Sequence, residues 1–191
     1  MKNQQTKIGM VQLLIVLTAI GFYSMAQAQQ VNHNVQVRLN DTQTAVKFKS
    51  VGKCANDNHN GCIEVKKGTQ GRLKFTLIGD NTSTCNRPGG KKWEIGEAFL
   101  GGKGSLTKPN IWGGFQNDSE VKADFNFVDA TTGQLKKESG SNSNSIVIFD
   151  ENMALEWYNI WYKVTIVCVD SDGNTVDELV ADPRIKNGGR Q

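Results

Sequence analysis

Side chains that carry catalysis are what this chain has least of. It holds two histidines, His33 and His59, in 191 residues. No serine stands in the Gly-x-Ser-x-Gly pattern that exposes a nucleophile on a strand-to-helix turn. Glu94 with Glu97, or Asp150 with Glu151, are the acid pairs that could serve as acid and base. Paired carboxylates work only at set separations with shifted pKa values, so solvated surface acids are the plainer meaning. The glycines at 101, 102 and 104 neither follow a clear strand nor open a helix, which argues against a phosphate cradle. A hydrolytic enzyme is therefore the least favoured reading, and the protein is expected not to be an enzyme.

Long helical stripes are also missing, as are repeats and long linkers. Beyond the first 28 residues no stretch is apolar enough to span a bilayer. Charge of one sign is lacking too. Setting aside Lys2 and Lys7, which lie in the first 28 residues, takes the formal charge from +3 to +1. So near-neutral a chain gives no electrostatic reason to bind nucleic acid or a membrane.

What is present begins with the leader. Lys2 and Lys7 precede an apolar run, Met10 to Tyr23, and Ser24-Met25-Ala26-Gln27-Ala28 puts small residues before a cleavage point after Ala28. That is the layout of a secretory signal peptide. Position 29 is Gln and not Cys, so no lipid-attachment site follows. The expectation is a signal peptide over 1–28 and one domain over 29–191, periplasmic or secreted, with no transmembrane segment after cleavage. The remaining 163 residues are enough for one real core.

Alternation of apolar and polar residues marks strands. Val31, His33, Val35, Val37 and Leu39 alternate, then Val46 and Phe48, then Leu73, Phe75 and Leu77. Cys62 to Val65 and Trp93 to Phe99 are weaker. Val121, Ala123, Phe125 and Phe127 read as another strand, and Ile146 to Phe149 as a short apolar one. Trp157 to Val169 is the longest and is apolar on both faces, so it should be central, with one face on the core and the other under a loop or an edge. Asp172-Gly173 marks a hairpin into Thr175 to Val180. About eight short strands with turns between them predict an all-β antiparallel sandwich.

All four cysteines follow the leader, where oxidation is expected. Four cysteines allow three pairings. The favoured one joins Cys54 to Cys62 around a hydrophilic loop and Cys85 to Cys168 across the chain. Cys54, His59 and Cys62 with Asp57 also suggest zinc, but only three good ligands are near and the compartment favours oxidation. Asn56, Asn58 and Asn60 before Gly61 match a calcium loop poorly, since neutral amides replace the charged ligands and Lys67 takes the place of the closing Glu; Asp170, Asp172 and Asn174 offer another oxygen-rich triplet, which Asp-Gly turn chemistry explains without an ion. No metal or cofactor is expected.

Residues 86–117 are the least regular stretch and read as a long Gly-rich loop. It carries Lys91, Lys92, Lys103 and Lys108 among Trp93, Phe99, Trp112 and Phe115. Aromatics beside cations can stack on a sugar, grip an acidic glycan or dock a protein. Trp112 and Phe115, with Lys91, Lys92 and Lys108, are the expected ligand contacts; Trp93 reads as core. The opposing reading turns these aromatics inward to cap the sandwich.

The C-terminal quarter has a distinctive order. Ile146 to Asn152 is followed by aromatic-rich Trp157 to Val164, by Asp170-Ser171-Asp172-Gly173-Asn174, and by Ala181-Asp182-Pro183-Arg184-Ile185-Lys186-Asn187. It resembles small bacterial β-sandwich proteins of the DP-EP type, whose function is uncharacterised. The resemblance implies an immunoglobulin-like sandwich and no activity; the Gly-rich stretch and the cysteines have no counterpart in it. A binding module for a glycan or an envelope protein is the favoured function, and a structural or adhesin-like surface-assembly subunit the alternative.

Overall fold

A computed structural model describes residues 28–49, 62–79, 82–182 and 184–188. Along these residues run β1 Gln29–Leu39, β2 Val46–Lys49, β3 Ile63–Val65, β4 Thr69–Leu77 and β5 Lys92–Gly101. Helix α1 Ser119–Asp124 follows, then β6 Phe127–Asp129, β7 Gln134–Leu135, β8 Ser145–Asp150, β9 Tyr158–Val169, β10 Thr175–Ala181 and β11 Arg184–Asn187. One sheet has the order β2-β1-β4-β8; the other has β3-β11-β9-β5-β7-β6, with β10 also on β9. The protein is an all-β sandwich.

Period-two burial builds the core. Val35, Val37 and Leu39 of β1 and Leu73, Phe75 and Leu77 of β4 point inward from one sheet, and Trp93, Tyr162, Val164 and Ile166 from the other. Phe75 and Tyr162 meet across the gap with ring centroids 5.1 Å apart. Burial raises the Tyr162 phenol pKa well above its ordinary value. The segments carrying the DP-EP resemblance fold as β8 to β11.

Both sheets are mixed, where antiparallel pairing throughout was expected. β1 pairs β4 in parallel, and β11 pairs β3 in parallel. Parallel neighbours need a crossover connection. Here β2 and β3 lie between β1 and β4 in the chain, and β3 belongs to the opposite sheet, so β4 returns beside β1 in the same direction.

Two more expectations change. The alternation from Val121 to Phe127 is not one strand. Residues Ser119–Asp124 form a helix, capped by the Asp118 side chain, which accepts the Val121 N–H at 3.0 Å. Val121 and Phe125 are four apart, so a single helical face buries both; a spacing of four also fits a strand, and the cap decides. The Gly-rich stretch 86–117 is not one loop either, because β5 occupies ten of its residues. Gly96 sits where the β5–β9 register shifts, and a Cβ there would come within 2.3 Å of the Thr165 hydroxyl oxygen. Gly101, Gly102 and Gly104 therefore do follow a strand, though they open no helix.

The sandwich has two unlike ends. At one, Cys85 and Cys168 form the expected disulfide across 83 residues. There Gln43, with φ 52°, accepts hydrogen bonds from the Trp93 indole and the Asn86 N–H, each at 2.9 Å, and donates to the Thr84 carbonyl. Arg87 lies over the Trp93 ring and pairs with Asp177. Cys62 is also disulfide-bonded. Its expected partner Cys54 lies outside the described residues, as do Asp57, His59 and the leader up to Gln27. At the other end, here the loop end, β5 and β8 finish and β9 begins. As expected, β9 is covered on both faces. Residues 102–112 fold back over its outer side, where the Trp161 indole donates to the Ser105 carbonyl at 3.1 Å.

Candidate functional site

The outer face of the β5–β9 pair builds an aromatic platform around one cation. Phe99 and Lys163 are direct cross-strand partners. The Lys163 ammonium lies 4.4 Å from the Phe99 ring centroid and 5.5 Å from that of Trp112. All three side chains are partly exposed. Among the described residues no carboxylate pairs with Lys163, whereas its neighbours are occupied: Lys137 with Glu97 at 3.0 Å, Lys103 with Asp118 and Glu120, and Lys108 with Asp182.

Glycine fixes the Trp112 position. Trp112 forms a bridge to Gly101, and a Cβ on Gly101 would stand 3.0 Å from the indole. The Gly113 N–H then donates to the Leu100 carbonyl at 2.8 Å, and the Gly114 N–H to Thr131 at 3.0 Å. Gly113 has φ 85°, and a Cβ on it would fall 2.0 Å from the Thr131 carbonyl oxygen. Only glycine permits that approach, so residues 112–114 are held to the sheet and not swinging from it.

The expected contact residues are only partly brought together. Trp112 stands in the platform. Phe115 does not: it is 4% exposed and packs on Phe127 with centroids 5.6 Å apart, because Phe115 N–H bonds the Ala130 carbonyl and turns the ring inward. Here the inward-capping reading of the aromatics is the correct one. Trp93 is core, at 1% exposure. Lys91 and Lys92 lie at the disulfide end of β5, about 30 Å along the strand from Gly101, and Lys92 pairs with Glu94 at 2.5 Å. Lys108 reaches Asp182 from residues 102–112. Lys163 escaped the sequence reading, although a signal exists: it is the only charged residue between Trp157 and Val169.

A second polar cluster sits at the loop end. Lys103 bonds Asp118 and Glu120 and lies 4.9 Å from the Tyr158 ring centroid. Burial opposes the Lys103 charge, yet Glu120 and Asp118 outweigh it and raise the pKa. Burial likewise opposes the Asp118 charge, but the Val121 N–H and Lys103 prevail and hold it low. Fully buried Asp124 accepts the Met153 and Ala154 N–H groups and the Tyr158 hydroxyl. Burial raises its pKa, and those three bonds only partly offset the rise. These bonds tie the 102–104, 118–124 and 153–158 segments together at the loop end.

Among the described residues no group of three or more His, Cys, Asp or Glu side chains could hold an ion. The Asp170 carboxylate instead closes its hairpin, accepting the Asp172 and Asn174 N–H groups at 2.9 and 2.8 Å. No described helix is long and apolar enough to cross a membrane. No protein-family model matches the chain, and no curated protein matches it.

Proposed function

We propose that this is an exported, non-catalytic binding module that takes an acidic glycan on the Phe99–Trp112–Lys163 platform. The observation that carries the reading is an ammonium beside two partly exposed rings, with no carboxylate pairing it among the described residues. Sugar rings present C–H faces that pack on aromatic rings, and a uronate carboxylate supplies the missing anion. The rings would cover roughly 100 Å² of apolar surface, about 2.5 kcal/mol. A charge-assisted hydrogen bond adds about 1.5–3 kcal/mol. Their sum corresponds to a dissociation constant of about 0.1–1 mM for one sugar unit.

The test is calorimetric titration of residues 29–191 with a uronate oligosaccharide and with its neutral counterpart. Preference for the acidic sugar, lost in Lys163→Met, and loss of both sugars in Trp112→Ala, would support the reading. Equal binding of the two sugars by wild type, or none, would remove it. A surface-assembly subunit is the second reading. It is favoured by β10, which pairs only with β9 among the described strands and leaves Val176 and Val180 exposed. Sedimentation velocity across a concentration series separates the two: a monomer at all concentrations counts against assembly through copies of the chain.

A further inference from the structure

Phe99 has a cross-strand partner on each side. Lys163 of β9 stands opposite it across one strand gap, and Gln134 of β7 across the other. Directly opposed residues of antiparallel strands share a face, so the three side chains leave the same outer surface. On the far side of Gln134, β6 places Asp129. The row therefore reads cation, ring, amide, carboxylate. Lys163 and Gln134 are two strand spacings apart, about 10 Å, the length of an extended disaccharide.

The two ends of the row accept different chemistry. Gln134 is half-buried, and its side-chain amide makes no hydrogen bond among the described residues. Its backbone is held on both sides: the Gly133 carbonyl accepts the Leu100 N–H at 2.9 Å, and the Lys136 N–H donates to the Asn126 carbonyl at 2.8 Å. A donor and an acceptor thus stand unused beside the Phe99 ring on a fixed strand. Asp129 accepts the Thr131 N–H at 2.8 Å, which holds its carboxyl below the ordinary value and charged near neutral pH. Lys137, beyond Gln134, is taken up by Glu97 at 3.0 Å. An anion is attracted at the Lys163 end of the row and repelled at the Asp129 end.

Building on the acidic-glycan reading, on which this rests, we propose that the platform selects an alternating glycan, with a uronate on Lys163 and an N-acetylhexosamine on Gln134. An acetamido group carries one carbonyl and one N–H, the complement of a primary amide, and its methyl group can lie on the Phe99 ring. A polymer with a carboxylate on every sugar brings its second charge toward Gln134 and Asp129, where nothing pairs it. Lys163 then separates acidic from neutral sugars, and Gln134 separates one acidic glycan from another.

Calorimetric titration of residues 29–191 with two ligands tests the proposal: a hyaluronan hexasaccharide, in which uronate and N-acetylhexosamine alternate, and a galacturonate hexamer. Wild type should bind the alternating ligand about tenfold more tightly. Gln134→Leu should weaken that ligand about fivefold, the loss of one neutral hydrogen bond, and the galacturonate hexamer less than about twofold. Asp129→Asn keeps an acceptor for the Thr131 N–H and should strengthen galacturonate binding about two- to threefold by removing a like charge. Both side chains are partly exposed, and a urea midpoint unchanged from wild type confirms folding. Galacturonate bound as tightly as hyaluronan, with both lost in Lys163→Met, overturns this proposal and leaves the acidic-glycan reading standing. Equal loss of the two ligands in Gln134→Leu also overturns it. Binding of neither ligand by wild type overturns the proposal and that reading together.

Discussion

Removing the Asp124 carboxylate should unfasten the loop end more than any other single side-chain change there. Asp124 is fully buried, and its donors include the Met153 N–H, the Ala154 N–H at 2.9 Å and the Tyr158 hydroxyl. Asp124→Ala leaves all three unpaired. A buried donor without a partner costs about 1–3 kcal/mol. Met153 is 43% exposed, so water can recover part of that loss, and the expected total is about 3–5 kcal/mol. Against a typical stability of about 5–15 kcal/mol, the variant should fold but melt early. Asp124→Asn keeps an acceptor for the two N–H groups, and the Tyr158 hydroxyl can turn to accept from the new amide. That variant should stay within about 1 kcal/mol of wild type at pH 7.

Urea unfolding followed by circular dichroism measures both. The pH dependence supplies a second, signed check. Burial raises the Asp124 pKa, so the folded state holds its proton more tightly than the unfolded chain, whose value is near 3.8. The stability this group contributes is greatest below that value and is lost as pH rises through the raised folded pKa. Asn does not titrate. Asp124→Asn should therefore gain on wild type as pH rises from about 3 to 7. A loss below about 1 kcal/mol in Asp124→Ala, or an Asn variant that gains as pH falls, would refute the account of Asp124 as a buried three-donor staple.

Gly113→Ala places a Cβ against the Thr131 carbonyl at a positive φ, so thermal melting should show a loss of about 2–4 kcal/mol, and uronate binding should weaken as Trp112 is displaced. His33 has a buried Nε2 without a hydrogen-bond partner among the described residues, and burial lowers its pKa from 6.5. The unfolded chain then takes up a proton first, so stability is complete above pH 6.5 and falls as pH drops through the folded value; His33→Gln should flatten that limb of a urea-midpoint titration.

The strands were legible where one face meets the core and the other meets water. β1 and β4 alternate because their side chains do so in the fold, down to Val35, Val37, Leu73 and Phe75. Residues 119–125 were not, since Val121 and Phe125 satisfy a spacing of two and of four alike, and the deciding hydrogen bond comes from Asp118 outside the pattern. Glycine richness misled for another reason. Gly96 and Gly101 are glycine because Thr165 and Trp112 press on the strand, not because the chain is loose there. A glycine that admits a neighbour and a glycine that turns a corner look the same in a sequence.

The site was half legible for a related reason. Residues 86–117 concentrate lysines and aromatics in sequence, but β5 runs through them as a strand and separates Lys91 and Lys92 from Trp112. Lys91 and Lys92 go to the end closed by Gln43, Trp93, Arg87 and the disulfide, and Trp112 to the end that stays open. The cation that Trp112 keeps comes from β9, 51 residues further on in the sequence, and is adjacent only through the β5–β9 register. Local composition can report which side chains are available, but a sheet assigns partners across strands. The residue that gave Lys163 away is therefore not a neighbour in the Gly-rich stretch. It is Lys163 itself, the one charge in a strand with apolar residues on both faces, where an aromatic or an anion is the partner that makes it tolerable.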